Sequence, residues 1–310
     1  MTATFHIVIC IHNRLRLTLC CLASLQNQTL RNFRVIIVDD GSTDGSVAAI
    51  QKEYAQKFRL EILRGNGTLF WGGATEMGMK RALQEAADHD YIMTLNNDVV
   101  LPPEFLAKAI ALKRRHPGAL VGSISAGRAN HQEQVVTAWR MMCWPLAWTR
   151  RVWWPLTSDQ IQAISDEVID VDFLPGTATV VEADVVRKFG TVKGSLLRHY
   201  QADFEYGYRL RKGGNRVLLA RDLIVSQDMQ STGIAGNDYR DLTLKEFGTS
   251  FFSVRSPTCL KYKWRFARTC CPNWALPTFL LCDFFKAVLR GLLLCFLGER
   301  AVVRVKTLVN

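Results

Sequence analysis

Short apolar runs alternate with helix-like stretches over the first hundred residues. The runs FHIVICI (5–11), RVIIV (34–38) and YIMTLNND (91–98) are short and rich in β-branched residues, which is typical of strands. The stretches LTLCCLASLQNQ (17–28) and ATEMGMKRALQEAADH (74–89) have the spacing of helices. Strands that alternate with helices predict βαβ units. We therefore predict an α/β fold with a Rossmann-like, mostly parallel sheet flanked by helices.

Each predicted strand ends in polar residues: HNR, DDGSTD and NND. Ligands bind outside the carboxyl ends of strands in open parallel sheets, so we expect these residues to line one crevice. The adjacent carboxylates of Asp39 and Asp40 repel each other, and this edge must supply a cation, hydrogen-bond donors or solvent. A strand followed by a helix N-cap, with Ser42, Thr43 or Asp44 as the capping residue, explains the same pattern without a ligand.

The third strand end, LNNDVV (95–100), presents hard oxygen ligands. One carboxylate, together with waters and substrate phosphates, is a common way for a protein to hold Mg²⁺ or Mn²⁺. Asp98 is the candidate ligand, and it would lie in the same crevice as Asp39 and Asp40. A simple turn before Pro102 and Pro103 is the alternative interpretation.

The alternation fades beyond residue 120. A Trp-rich segment spans 138–155 and contains Trp beside Arg, as in a sugar-stacking platform or a membrane-interface belt, whereas a buried insertion is the plainer interpretation. The apolar segment at 274–298 is too interrupted for a spanning helix. Its charges, Asp283, Lys286 and Arg290, follow the i, i+3, i+7 spacing of one helical face. This spacing predicts an amphipathic helix that lies in a membrane interface, and a dimer-forming helix is the alternative.

Composition narrows the class of partner. The chain has 310 residues, 39 lysines and arginines, and 28 acids, a net charge of +11 that favours polyanions. We expect no nucleic-acid partner, because no nucleic-acid recognition motif occurs, and the two common phosphate-binding glycine loops are also absent. Nine cysteines without a CxxC motif fit reduced thiols, and the N-terminus shows no leader pattern. We expect a cytoplasmic protein, peripheral on the inner face of the cell membrane.

Five motifs occur in a family-specific order: CIHNR, VDDGSTD, GNGTLFWGG, NNDV and ADFEYGYR. In this order they resemble an inverting family-2 glycosyltransferase with the GT-A fold. The likeness is greatest to bacterial enzymes of O-antigen, capsule and other surface polysaccharide synthesis, including rhamnosyltransferase-like members. It covers roughly residues 5–245.

The resemblance implies a donor site for a nucleotide-diphosphate-sugar. Asp40 would make the most direct contact, because a carboxylate can accept a hydrogen bond from a base N–H, and the stretch 65–73 would pass close to the nucleotide. Asp98 would bind the divalent metal, Mg²⁺ or Mn²⁺, although Asn96 stands where the family has its first acid. The implied donor-binding residues are His12, Asn13, Arg14, Asp39, Asp40, Gly67, Trp71, Gly72 and Asn97.

The resemblance also assigns the catalytic base to Asp203, at the start of a predicted helix. Inverting transfer needs one general base to deprotonate the acceptor hydroxyl, and His199 is the alternative base. Glu205 and Arg209 are predicted to form an ordinary surface ion pair. Acceptor and sugar contacts are implied for Gly176, Thr177, His199 and Tyr200. A histidine found downstream in many relatives is replaced here by Gln227 and Asp228, and Asp228 could serve as a metal ligand.

We therefore expect a catalytic domain at 1–245 and a helical, membrane-associating extension at 246–310. The extension would use Lys261, Lys263, Arg265 and Arg268 against anionic lipid. The expected activity is inverting transfer of one sugar to a lipid-linked glycan. A nucleotidyltransferase and a catalytically inactive sugar- or lipid-binding module are the alternatives, and a homodimer is a further expectation.

Overall fold

The computed structural model describes residues 3–129, 132–137, 141–150, 160–161, 163–228 and 243–309. The chain divides into two compact units. The first unit comprises Met1–Met141 and Arg151–Asp228, and the second comprises Met142–Arg150 and Met229–Asn310. Three tryptophans of the Trp-rich segment, Trp139, Trp153 and Trp154, lie outside the described residues. The predicted boundary at residue 245 stays a prediction.

Most of the described strands belong to one sheet in the first unit, and β8 and β9 form a separate hairpin. The strands are β1 Phe5–Ile11, β2 Phe33–Asp39, β3 Arg59–Arg64, β4 Tyr91–Asn96, β5 Val99–Val100, β6 Leu120–Ala129, β7 Gln132–Thr137, β8 Met141–Cys143, β9 Trp148–Arg150, β10 Val168–Asp170, β11 Ala178–Glu182 and β12 Val217–Gln227.

The helices flank the sheet in the first unit and dominate the second. They are α1 Leu15–Gln26, α2 Ser46–Tyr54, α3 Phe70–Leu83, α4 Phe105–Arg115, α5 Ala183–Phe189, α6 Ala202–Lys212, α7 Leu244–Ser250, α8 Leu260–Cys270 and α9 Leu276–Val309, with a short 3₁₀ turn at Asn273–Ala275 before α9.

The sheet is mixed but mostly parallel, which confirms the predicted fold class. Its order is β10-β12-β6-β11-β4-β1-β2-β3. Strands β3, β2, β1 and β4 run parallel, and Ile7 of β1 stands opposite Val35 of β2 and Met93 of β4. Strand β11 runs antiparallel between β4 and β6, whereas β12 runs parallel to β6. The carboxyl ends of β1, β2 and β4 therefore meet at one edge, as their polar residues predicted.

Strands β1 and β2 are buried on both faces. Ile7, Ile9, Val35 and Ile37 are each 0% exposed, and so are residues of opposite pleat such as Ile36. A parallel sheet has this pattern because crossover helices cover both of its faces. The continuous apolar runs in the sequence therefore indicated central strands.

Helix α3 begins earlier and ends earlier than the sequence predicted. The helical pattern placed it at 74–89, but it spans Phe70–Leu83. The backbone N–H of Phe70 donates to the Asp40 carboxylate at 2.8 Å, which fixes the first turn of the helix against the end of β2. Trp71 and Gly72, which precede the predicted helix, are helical for this reason. A contact across 30 residues cannot be found from local spacing.

The ion pair of Glu205 and Arg209 is a correction to the sequence-based interpretation. The pair is buried, not exposed: Glu205 is 0% exposed, and its carboxylate oxygens accept from Arg209 Nε at 2.8 Å and Nη2 at 3.1 Å. Arg209 also donates to the carbonyl oxygens of Phe189 and Thr191. The pair therefore joins α6 to the end of α5, and Glu205 is a structural residue.

Substituting Glu205 should damage the fold. We expect Glu205→Gln to lower the free energy of unfolding by about 3 kcal/mol, because it leaves the Arg209 guanidinium without its counter-charge. Glu104→Gln is the matched control, since Glu104 forms an exposed i, i+4 pair with Lys108 at 3.7 Å, and such pairs contribute about 0.5 kcal/mol. Urea denaturation measures both. Equal losses would contradict the structural role of Glu205.

The second unit packs around an aromatic core. Trp144, in the turn of the β8–β9 hairpin, is 8% exposed and contacts the rings of Phe266 at 6.2 Å and Phe279 at 5.5 Å. Trp144 is therefore a core residue, which corrects its assignment to a sugar platform or membrane belt. Trp148 remains 41% exposed. None of the helices in the described part of the chain has the length and apolar character that a membrane crossing needs.

Candidate active site

Backbone N–H groups donate to the paired aspartates at the end of β2. Asp39 accepts a hydrogen bond from the Ser42 N–H at 3.0 Å. Asp40 uses both carboxylate oxygens, one for the Gly67 N–H and one for the Phe70 N–H, each at 2.8 Å. Both acids are buried, and Asp40 anchors the loop before α3. Contact of either carboxylate with a nucleotide stays a prediction.

The loop after β1 is tied to the loop after β2. His12 Nδ1 lies 2.8 Å from the carbonyl oxygen of Asp40, to which it donates. Asn13 has a left-handed φ of 50°, and its side-chain oxygen accepts from the Thr43 N–H at 2.7 Å. Both His12 and Asn13 are exposed. The two loops thus form a fixed, accessible wall at the carboxyl edge of the sheet, where a donor would bind.

The three residues at the end of β4 point in different directions. Asn96 accepts from the indole N–H of Trp71 at 2.9 Å, so it positions the tryptophan. Asn97 is buried and donates to Thr18 Oγ1 of α1 at 3.0 Å. The predicted donor contact of Asn97 is therefore not favoured by its orientation. Of the three residues, Asp98 is the one whose side chain faces Arg14 of the loop after β1.

Asp98 is 5% exposed and lies between two polar side chains. Arg14 Nη1 stands 3.3 Å from one carboxylate oxygen, and Gln227 Nε2 stands 3.3 Å from the other. Burial raises the pKa of Asp98, although Arg14 and Gln227 act in the opposite direction. The Asp228 N–H donates to the Asp98 carbonyl at 3.0 Å, which brings a second carboxylate to this edge.

Asp98 and Asp228 fit a divalent cation that also binds substrate phosphates. No group of three or more His, Cys, Asp or Glu side chains suited to a metal occurs within the described ranges. Mg²⁺ commonly uses one or two carboxylates and completes its coordination with water and phosphate oxygens. A buried carboxylate of raised pKa beside a second acid also has an electrostatic reason to accept a cation. The residues present therefore suit a cation bound together with a diphosphate.

Asp203 is held at the start of α6 by backbone donors. Its Oδ2 accepts from the Gly176 N–H and its Oδ1 from the Phe204 N–H, both at 2.9 Å. A Cβ added to Gly176 would lie 2.1 Å from Trp71 Cζ2, so only glycine fits there. Asn96, which positions Trp71, donates its N–H to the carbonyl of Thr177 at 2.8 Å. This chain of contacts places Asp203 near the NND edge.

The residues implied in acceptor contacts fall into two groups. The His199 ring lies 5.8 Å from the Phe70 ring and 4.5 Å from the Tyr200 ring, measured between centroids. Phe70 is the first residue of α3, and His199 and Tyr200 directly precede α6. Thr177 is buried directly before β11, and its carbonyl oxygen accepts a hydrogen bond from the Asn96 N–H. Gly72 is a packing residue, because an added Cβ would lie 2.3 Å from the carbonyl oxygen of Leu197.

Sequence reasoning missed Arg16 as part of this edge. Its guanidinium is 3.6 Å from the Asp228 carboxylate, parallel to the pair formed by Arg14 and Asp98. The signal was present as the R-x-R spacing of HNRLR, directly after β1. Its significance depended on the arrival of β12 beside β5, which brings residues 226–228 to the same edge.

Comparisons with known proteins agree with this architecture. A family model described as glycosyl transferase family 2 matches residues 6–179. The amylovoran biosynthesis glycosyltransferase AmsE of Erwinia amylovora is 29% identical over 97 residues, which is 31% of this chain and 35% of AmsE. The aligned part thus spans about a third of that relative. The chain belongs to glycosyl transferase family 2.

Two solved structures show the same fold. GalNAc-T7, solved with UDP, GalNAc and Mn²⁺, has a TM-score of 0.58 at 15% identity over 73% of this chain and 44% of its own. S. aureus TarS residues 1–349, in complex with UDP-GlcNAc, has a TM-score of 0.54 at 14% identity over 92% of this chain and 81% of its own. These neighbours establish the GT-A architecture of the first unit's sheet.

The packing of Gly176 gives a testable result. We expect Gly176→Ala to lower the free energy of unfolding by about 1–3 kcal/mol, as overpacked sites do, because the new methyl group meets the Trp71 ring. Transfer activity should fall as well, since the Gly176 N–H holds Asp203. Gly248→Ala is the control, because an added Cβ there has no atom within 4 Å. Thermal denaturation and a transfer assay would detect the difference, and matching behaviour of the two variants would contradict the packing argument.

Proposed function

We propose that this glycosyltransferase moves one sugar, with inversion, from a nucleotide-diphosphate-sugar to a glycan acceptor carried on lipid. The observation that carries the proposal is the placement of Asp203. Its carboxylate is fixed to Gly176, which packs against Trp71, and Trp71 donates to Asn96 at the start of the NND edge. A candidate base and a candidate phosphate-binding edge therefore lie in one connected site of the first unit.

Asp203 would act as the general base. The acceptor hydroxyl oxygen forms a bond to the anomeric carbon as the bond from that carbon to the diphosphate oxygen breaks. The hydroxyl proton passes to the Asp203 carboxylate, and the nucleoside diphosphate leaves with the bonding electrons. Both Asp203 oxygens accept a backbone N–H, and a carboxylate oxygen carries two lone pairs, so the carboxylate can also take a proton. His199, near the same helix start, is the alternative base.

The opposite side of the site would hold the leaving group. Arg14 and Arg16 bring two positive charges to the edge where Asp98 and Asp228 lie. Asp98, with Asp228, would hold Mg²⁺ or Mn²⁺, which supplies charge neutralisation of the diphosphate. The nucleoside would be bound by His12, Asn13 and the loop that Asp40 anchors.

The physiological setting is surface polysaccharide synthesis. The similarity to AmsE, which is named for amylovoran biosynthesis, supports a glycan product. We propose that this product is a component of O-antigen, of another lipopolysaccharide or of a capsule, and that the enzyme is rhamnosyltransferase-like. The enzyme would bind its lipid-linked acceptor at the inner face of the cell membrane. The cationic second unit would associate peripherally with that membrane surface.

A thermal-shift panel of nucleotide-sugars, with and without Mn²⁺, tests the proposal most directly. The correct donor should raise the melting temperature of the protein. The protein should also hydrolyse this donor slowly and release the nucleoside diphosphate. NMR of the transferred sugar should show an inverted anomeric configuration. Binding without any hydrolysis or transfer would favour the inactive binding module. Stabilisation by a nucleoside triphosphate and a sugar phosphate, but by no nucleotide-sugar, would favour the nucleotidyltransferase.

A further inference from the structure

One exposed side of α9 carries a row of apolar residues. Its members are four, four, three and four residues apart, so they follow one side of the helix and form what we call the α9 stripe. Helices on a water-soluble unit ordinarily turn such a stripe toward the core. The stripe residues are instead 58, 61, 60, 38 and 68% exposed, in the order Leu281, Phe285, Leu289, Leu292 and Phe296.

Two charged side chains of α9 contact other elements of the second unit. Asp283 accepts from Lys263 of α8 at 2.7 and 2.6 Å. Lys286 donates to the carbonyl oxygens of Leu146 at 2.7 Å and Ala147 at 3.2 Å, in the hairpin turn. The charges at 283 and 286 therefore contact neighbouring elements of the second unit. Lys263, which we expected to contact lipid, is used inside the unit, and this corrects that expectation.

A groove lies between α8 and α9, one helical position from the stripe. It has a volume of about 280 Å³ and apolar walls that include Trp264, Leu280 and Phe284. Trp264 is 50% exposed, and the Arg268 guanidinium lies over its ring at 5.7 Å from the centroid. Exposed tryptophan beside a cation is typical of side chains that sit at the headgroup level of a bilayer.

The positive charge of the chain is concentrated in the same region. Residues 243–310 hold eleven lysines and arginines and three acids, which is a net charge of +8 within the +11 of the whole chain. Two copies that met through this region would bring these charges together, so their repulsion disfavours a second copy as the cover of the stripe. An anionic bilayer satisfies both the exposed apolar area and the charge.

We propose that the α9 stripe and Trp264 dock on an anionic membrane surface, with α9 lying along the headgroup boundary. Lys261 and Arg268 of α8 would contact the lipid phosphates. This inference deepens the proposed function by naming the surface that brings the enzyme to a lipid-linked acceptor. It does not depend on the chemistry of transfer, because all of its residues lie in the second unit.

Vesicle flotation of the full chain tests the apolar part of the surface. The vesicles contain phosphatidylcholine alone or phosphatidylcholine with phosphatidylglycerol. Replacing Phe285, Leu289 and Phe296 together by serine should weaken binding to the anionic vesicles by at least about 100-fold, from the lost apolar burial. All three side chains are exposed, so the fold should survive. Leu244→Ser is the control, because Leu244 is 55% exposed but lies outside α8 and α9.

A second variant tests the charge without touching the stripe. Lys261→Gln with Arg268→Gln should weaken binding by about 30-fold and reduce its salt dependence, since each cation near an anionic surface strengthens binding about fivefold. Lys80→Gln with Lys108→Gln is the matched control in the first unit. Wild-type protein that fails to float with the anionic vesicles would overturn the proposal. So would a wild-type dimer that the stripe substitutions convert to monomer, without any change in flotation.

Donor binding is measured on the same proteins by thermal shift. We expect the stripe and charge variants to keep the wild-type response to nucleotide-sugar. Flotation without any donor response in the wild type would count against the proposed function and leave the membrane surface standing. Loss of both properties in the stripe variant, with an intact melting transition, would contradict the separation of the two roles.

Discussion

Asp203→Asn is expected to lower kcat by about 10²–10⁴-fold, the range that general-base catalysis contributes. The substitution keeps the shape of the side chain and one oxygen acceptor, so α6 should keep its start. It removes the group that takes the acceptor proton. Donor affinity, read from thermal shift or from KM for the nucleotide-sugar, should stay near the wild-type value. A transfer assay at saturating donor measures the expected loss.

The chain supplies a close structural control for this substitution. Asp184 is the second residue of α5, as Asp203 is of α6, and its Oδ1 accepts from the next N–H at 2.7 Å. Asp184→Asn should therefore reproduce any damage to a helix start without loss of turnover. Should both variants lose transfer equally, the effect is structural. Should only His199→Gln abolish transfer, the base has been assigned to the wrong residue. Glu205 cannot serve as this control, because it is buried.

Asp98→Asn is expected to abolish metal-dependent donor binding and to lower kcat/KM by at least about 100-fold, since the diphosphate loses its counter-charge in both ground and transition states. In the absence of metal, the Asp98→Asn variant should melt at a higher temperature than the wild-type protein at pH 7. Burial raises the pKa of Asp98 in the folded chain, so its contribution to stability is present at acid pH and lost as the pH rises through that pKa. Asparagine does not ionise, so the variant avoids this loss of stability at neutral pH.

Metal and nucleotide should bind together at this site. Two carboxylates leave most positions around a cation open, so Mn²⁺ alone should hardly shift the melting temperature, whereas Mn²⁺ with the nucleoside diphosphate should shift it clearly. Asp228→Asn should weaken this joint effect less than Asp98→Asn, because Asp228 is the more exposed partner. Asp88→Asn is the surface control. Full activity of the wild type in the presence of a chelator would refute the role of Asp98.

Local pattern was sufficient for the elements that carry the site. Buried β-branched runs predicted β1, β2 and β4, and the polar residues that follow them predicted a common edge. The motif order also predicted a helix start at Asp203, and α6 does begin at Ala202. These features depend on the spacing of apolar and polar residues along the chain and on the geometry of parallel strands, and both can be read from local sequence. The family match then agreed with the predicted class.

Partner choice was decided only by the tertiary structure. The sequence could not show that Asp40 would bind two N–H groups of the loop before α3, or that Asn97 would turn toward α1. It placed Glu205 on the surface, because i, i+4 spacing is the same for a buried and an exposed pair. The carbonyl oxygens of Phe189 and Thr191, which hold Arg209 beside Glu205, lie 20 and 18 residues before Arg209, and only packing brings them near.

The orientation of α9 shows the same limit. The sequence by itself determined that this segment is a helix with charges on one side and apolar residues on the other. Which side faces outward depended on Lys263 and on the hairpin carbonyls of Leu146 and Ala147, which bind the charged side. Periodicity defines the two faces of a helix, but the neighbours that bind its charged side chains decide which face is left for another surface.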